Sequence, residues 1–257
     1  MSAPEYVEKL DAVLQMLHAG GKRISWGDRL LTLDKNAAFS RNPAFIEAFS
    51  DFNGRIAYDE FNGQAGISWR LNTLCWSAKN ALRIGGSLVE CGVFKGDMAW
   101  TILHVLGPEN IAEFLLYDSF DGFSPQYSSQ ADFPDNPGFF EFASNYYQQG
   151  GIYEDVCKRF EAFPQIRIVK GYLPDSLQDT VPDKIGFLHI DLNSPKAERA
   201  VLELLWQRVV PGGHVVFDDY GWHVFRKQKE MADEFMVRRG HEILELPTGQ
   251  GLVIRLP

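Results

Sequence analysis

Carboxylates recur at the ends of short apolar β-type runs in this chain. The runs GGSLVECGV, EFLLYD, QIRIVKGY, KIGFLHID and GGHVVFDD lead to Glu90-Cys91-Gly92, Asp118, Gly171-Tyr172, Asp191 and Asp218-Asp219. Four of these five ends carry an acid, and crowded like charges are unfavourable unless a cation or hydrogen-bond donors offset them. Asp191, Asp218 and Asp219 form the sharpest group. If their two strands are sheet neighbours, about 4.8 Å apart, the three carboxylates meet in an oxygen-only site. Such a donor set suits Mg²⁺ or another hard divalent cation better than zinc, and no histidine pair or thiolate cluster offers a zinc alternative. The competing reading is a set of helix caps with a salt bridge.

The turn after the first run reads E-C-G-V-F-K-G, residues 90–96. Its glycines permit close backbone approach to a ligand and tight entry into a helix, although the full G-x-G-x-x-G is absent. Asp118 follows Gly96 by 22 residues, the separation at which an acid meets the ribose hydroxyls of an adenosine cofactor. That spacing does not separate a nicotinamide dinucleotide from S-adenosylmethionine. His189 shares a strand face with Asp191 by the period of two, but its deeper position favours a core role. His223 follows DDYGW beside the acid pair and is a candidate general base, with a surface or capping role as the alternative. The chain lacks G-x-S-x-G and G-x-x-x-x-G-K-[ST], which removes the hydrolase elbow and the P-loop. None of its nine tyrosines is followed four residues later by lysine, which weakens the short-chain dehydrogenase reading.

The elements that must carry these residues are legible from periodicity. From residue 85, strand-like runs alternate with helical patterns such as DMAWTILHVL, PKAERAVLELLWQRV and VFRKQKEMADEFMVRRG. This predicts a doubly wound, mostly parallel α/β sheet covered on both faces. HEILEL and GLVIRL are separated only by PTGQ and predict a C-terminal antiparallel hairpin. Residues 1–80 read as an N-terminal helical extension, with apolar stripes in EYVEKLDAVLQMLHAG, NPAFIEAFSDF and ISWRLNTLCWSAKNAL. Residues 81–257 form the main domain. Within it, residues 119–150 are rich in Phe and Tyr and too long for an ordinary connection, so they are expected to act as a lid over the carboxyl edge of the sheet. A packed surface excursion or a dimer contact is the plainer alternative.

Composition narrows the partners. Lys+Arg total 25 against 34 Asp+Glu, a formal charge of −9, and there is no basic stripe of the kind that displaces counterions from nucleic acid. A small-molecule substrate is expected, with no nucleic acid and no membrane. Three cysteines without C-x-x-C spacing read as a reduced set. Neither a signal-peptide h-region nor a spanning apolar run is evident, so a cytoplasmic protein is expected, and the aromatic N-terminal stripes suggest a homo-oligomer.

Taken in order, GGSLVECGVFKGD, YDSFDGF, IVKGYLPDSL, FLHIDLN and VVPGGHVVFDDYGW resemble the macrocin O-methyltransferase family, over roughly residues 65–257. These are metal-dependent enzymes that methylate sugar hydroxyls of antibiotics, and the likeness extends to calicheamicin-type deoxysugar O-methyltransferases. The resemblance implies a Rossmann-like class I methyltransferase fold and S-adenosylmethionine as methyl donor. It places Glu90, Gly92, Phe94 and Gly96 in the loop at the methionine end, Asp118 and Ser119 at the ribose, and Gly171 and Tyr172 beside the adenine. It also puts Asp191, Asp218 and Asp219 on the magnesium ligands. The family's general base lies two residues after the first of these ligands, where this chain has Asn193. An amide accepts no proton from a hydroxyl at neutral pH, so either His223 takes the role, or the cation alone suffices, or activity is lost. The expectation is an Mg²⁺-dependent sugar O-methyltransferase acting on a glycosylated natural product. Transfer to a catechol-type diol, an inactive cofactor-binding scaffold and a nicotinamide oxidoreductase are the alternatives.

Overall fold

A computed structural model describes residues 12, 13, 15, 16, 19–21, 24–27, 30–53, 67–177 and 180–257. The chain divides into two compact units, Met1–Asn72 and Thr73–Pro257.

In the first unit the expected helical extension is only partly helical. Strands β1 (Ile24–Gly27) and β2 (Leu30–Leu33) pair antiparallel. Burial alternates along LLTL, and Ile24, Trp26 and Thr32 are β-branched or aromatic residues that suit a pleated strand. The helix Pro43–Asn53 follows. Phe39 stands edge-on to Phe45 and to Trp69, with ring centroids 5.1 and 4.8 Å apart. Most of the first expected helix, in EYVEKLDAVLQMLHAG, lies outside the described residues.

The second unit is built on β3 (Ser87–Cys91), β4 (Phe114–Asp118), β5 (Ile166–Lys170), β6 (Ile185–Ile190), β7 (Val209–Phe217), β8 (Leu244–Glu245) and β9 (Gly251–Ile254). They form one sheet in the order β5-β4-β3-β6-β7-β9-β8. The first five strands in that order are parallel; β9 runs antiparallel to β7, and β8 to β9, giving the C-terminal hairpin. Alternation along each strand feeds two cores. Val89, Leu115, Leu188 and Val215 face one side with Val201, Leu205, Phe235 and Met236. Leu88, Phe114, Phe187 and Val216 face the other with Leu74, Ile102, Leu103 and Val156. All six residues of β6 are buried, as expected for a central strand covered on both faces.

From β3 the chain winds outward through β4 to β5, then returns to β6 on the other side of β3. That reversal makes the carboxyl ends of β3 and β6 a topological switch point, the place where an open α/β sheet has room for a ligand. Two residues sharpen the junction. Gly92 has φ +93°, and a Cβ there would lie 1.8 Å from the Asp191 carbonyl oxygen, so the glycine is required by the close approach of the two strand ends. Gly96, at φ +77°, starts the helix Asp97–Leu106. A Cβ at Gly96 would press 2.8 Å from the Phe160 ring. On the β6 side, Ser194 caps the helix Pro195–Leu205 by accepting from the Ala197 N–H, a side-chain cap followed by proline at the first helical position.

Candidate active site at the carboxyl edge of the sheet

Asp191 immediately follows β6 and Asp218-Asp219 follow β7, its parallel neighbour. One carboxylate oxygen from each lies within 4.8 Å of the others, with Asp218 buried and the other two half-buried. Asn193 sits between this cluster and the 119–150 segment. Its amide Nδ2 donates to Asp191 Oδ1 at 3.3 Å and lies 3.4 Å from the Tyr147 hydroxyl, while its buried Oδ1 has no hydrogen-bond partner. Asn193 holds φ +53°; Phe94 (+48°) and Phe120 (+52°) share the left-handed region. Such backbone is costly for a bulky side chain, and among the described residues of this unit these three positions fall on the loops after β6, β3 and β4. Strain concentrated at strand-end loops is a mark of a functional edge.

Asp118 ends β4, and both its oxygens are engaged. Oδ2 accepts from the backbone N–H groups of Val93 and Phe94 at 2.6 and 2.8 Å, and Oδ1 from Phe120 N–H at 2.6 Å. Three bonds leave a carboxylate about one further acceptor position. Asp118 thus shapes the loop after β3 as well as presenting an acid to it. The Ser119 hydroxyl donates to the Gly122 carbonyl at 2.7 Å and closes the next turn. Gly171 and Tyr172 follow β5 alongside, where Gly171 N–H donates to the Asp118 carbonyl and the Tyr172 hydroxyl to Asp121.

Glu90, at 1 % exposure, is as deeply buried as Asp218. Its Oε1 lies 3.1 Å from His189 Nδ1, and its buried Oε2 has no hydrogen-bond partner. Burial raises the Glu90 carboxyl above its ordinary value against the pull of His189. The same burial opposes charge on His189, but the flanking Asp218 and Glu90 carboxylates outweigh it and push the imidazole up to about 10. His223 is exposed in a short helical turn, His223–Phe225. Nearby, the Asp135 carboxyl is held below the usual range chiefly by its hydrogen bond to Arg226.

The 119–150 segment packs against the loops that follow β3, β6 and β7. Phe94 meets Tyr146 and Tyr147 at 5.6 and 5.3 Å between ring centroids. The Tyr127 carbonyl accepts from Ser194 Oγ, Arg226 pairs with Asp135, and Phe133 and Phe139 pack edge-on to Phe225. The segment is therefore tied to the ends of β3, β6 and β7 together.

Comparison with known proteins adds an observation independent of this geometry. Residues 68–245 match the family model described as macrocin O-methyltransferase (TylF). The chain belongs to the macrocin O-methyltransferase family. As a member it is an S-adenosylmethionine-dependent O-methyltransferase. It is similar to the mycinamicin III 3''-O-methyltransferase of Micromonospora griseorubida, at 24% identity over 65% of this chain and 71% of that one. Among solved structures it resembles the calicheamicin methyltransferase CalS11, with a TM-score of 0.62 and 15% identity over 82% of this chain and 91% of that one. The O-methyltransferase NovP gives a TM-score of 0.57 and 21% identity over 73% and 80%.

The residues present fit what a macrocin-type methyltransferase needs. Glu90 Oε2 is an unused buried acceptor beside the glycine turn, suited to a cationic group, and the aspartate trio is an all-oxygen donor set suited to a hard cation. Sequence reasoning missed three contributors. Gln250, read only as part of a turn, donates from Nε2 to Asp218 Oδ1 at 2.9 Å. Glu198 is buried and accepts from Gln228. Tyr147 is one aromatic among many in the 119–150 segment. Gln250 and Tyr147 reach the site from elements distant in sequence, whereas Glu198 lies on the helix directly after Asn193 and reads as an ordinary helical acid until its burial is seen. Cys75 and Cys91 are buried free thiols, and burial pushes Cys75 up to about 12. Among the described residues no helix is long and apolar enough to cross a membrane.

Proposed function

We propose that this enzyme transfers a methyl group from S-adenosylmethionine to a sugar hydroxyl of a glycosylated natural product, assisted by a hard divalent cation. The carrying observation is the convergence of Asp191, Asp218 and Asp219 within 4.8 Å at the switch-point edge. The sugar acceptor is supported by the likeness to a mycinamicin 3''-O-methyltransferase and to a tetracenomycin rhamnosyl 4'-O-methyltransferase. This chain spans 60% of the length of the latter, which is 26% identical to it.

In this reading Glu90, Gly92, Phe94 and Gly96 bound the methionine end of the cofactor. Asp118 and Ser119 meet the ribose, and Gly171 and Tyr172 meet the adenine. The methyl donor is already activated, so the protein's task is alignment of acceptor oxygen, methyl carbon and sulfur. A divalent cation, when bound to the three aspartates, lowers the pKa of a neighbouring hydroxyl and fixes its direction. Asn193 cannot take the proton, but its unpartnered Oδ1 can accept a hydrogen bond from the acceptor. His223 is the proposed proton acceptor, reached after the aromatic segment has excluded bulk solvent. The buried Phe133 and the Phe94–Tyr147 contact give that segment a packed apolar underside.

Calorimetry with S-adenosylhomocysteine, followed by turnover of glycoside acceptors with Mg²⁺ or with excess chelator, tests the proposal. Asp218→Asn is expected to weaken Mn²⁺ binding by about 100-fold or more and to abolish turnover while cofactor binding persists. Full turnover in that variant, or in chelator, overturns the cation's role.

A further inference from the structure

A buried polar chain crosses the sheet beneath the site, and its central member, His189, has no part in the mechanism above. Glu90 and His189 are register partners on β3 and β6. His189 is in turn the register partner of Val216 on β7, two residues before Asp218, so the period of two brings all three side chains to one face. His189 Nδ1 is hydrogen-bonded to Glu90 Oε1 at 3.1 Å, and Nε2, which makes no hydrogen bond, faces Asp218 Oδ1 at the ion-pair separation of 3.5 Å. The side chains are 0–1 % exposed. Gln250 approaches the same Asp218 oxygen from the β8–β9 turn at 2.9 Å. A histidine flanked by two acids is an expensive filling for a sheet interior that Val, Leu and Phe occupy elsewhere, since each ion loses its hydration.

We propose that His189 is a positioning residue with two separable duties. Through Nδ1 it holds Glu90 so that the unpartnered Oε2 faces the cofactor side; through Nε2 it fixes the rotation of Asp218 toward the cation side. The inference rests on the functional reading above and assigns to one side chain the geometry of both halves of the site. It differs from a core-packing role because the two ring nitrogens serve different ligands, and the two amide side chains imitate them one at a time. Gln places its amide near the Nε2 position, facing Asp218; Asn places its amide near Nδ1, facing Glu90.

The test measures Mn²⁺ affinity by electron paramagnetic resonance and S-adenosylhomocysteine affinity by calorimetry, on the full chain, with thermal melting as a check on folding. His189→Gln is expected to keep Mn²⁺ affinity within a few-fold of wild type and to weaken S-adenosylhomocysteine by about 10-fold or more. His189→Asn is expected to do the reverse, losing about 10–100-fold in Mn²⁺ affinity, the usual scale for groups that orient a metal ligand. Either folded variant decides the point by itself. Equal loss of both ligands, no loss of either, or failure of both variants to fold overturns the proposal in favour of a purely structural histidine. Wild-type protein that binds neither probe instead overturns the functional reading, and this inference with it.

Discussion

Glu198 is buried in the helix Pro195–Leu205, where Gln228 donates to one of its oxygens and the backbone N–H groups of Leu192 and Ser194 add support. Those two amides flank Asn193, so this carboxyl steadies the loop that carries Asp191 and Asn193. Burial raises Glu198 from 4.5 to about 8, opposed by Gln228 and those amides and reinforced by Asp219. The folded state therefore holds this proton more tightly than the unfolded chain. Its stabilising contribution is complete below about pH 4.5 and is lost as pH rises toward about 8. Glu198→Gln removes that dependence while keeping the shape. Its melting temperature relative to wild type is expected to rise steadily from pH 5 to pH 8. Parallel curves across that window would mean that Glu198 is already ionised in the fold.

Elements impose their own constraints. Gly92 and Asp191 belong to different strand ends, yet the missing Cβ of one makes room for the carbonyl of the other. Gly92→Ala adds a clash with backbone to an unfavourable φ, and neither can be relieved without separating β3 from β6. A destabilisation of about 4 kcal/mol or more is expected, measured by urea unfolding, with loss of S-adenosylhomocysteine binding. A variant as stable as wild type would show that the junction is soft. The 119–150 segment depends on aromatic packing in the same manner. Phe133 is fully buried and touches Phe123, Phe139, Phe140 and Phe225. Phe133→Ala is expected to cost about 3–5 kcal/mol in the packing of that segment. Hydrogen exchange should accelerate in residues 123–142 while the β6 amides stay protected. Uniform acceleration throughout the sheet would instead make Phe133 part of the global core.

At the scale of the whole molecule, every proposed ligand-facing residue lies between Glu90 and Asn193 or between Asp218 and Gln250, inside the second compact unit. Removal of residues 1–66 is therefore expected to leave S-adenosylhomocysteine affinity within a few-fold of the full chain. Loss of binding in a folded truncation would assign the first unit a direct part in the cofactor site.

The alternation of strand-like and helix-like runs determined the doubly wound sheet, because burial of one or both faces writes a period of 2.0 or 3.6 directly into the chain. The same logic reached Asp191, Asp218 and Asp219, since strand ends in a parallel sheet all emerge on one edge, and PTGQ announced the terminal hairpin. Other features were decided only by tertiary structure. The β1–β2 hairpin escaped because two four-residue strands carry too little periodic signal against the helical stripes around them. Asp118 proved to be bonded to three loop amides, a fact that depends on where β3 and β4 end relative to each other. His189 read as a core residue because its partners, Glu90 and Asp218, lie on neighbouring strands 99 and 29 residues away. Contacts across a sheet depend on strand order and register, and neither is encoded by spacing along the chain.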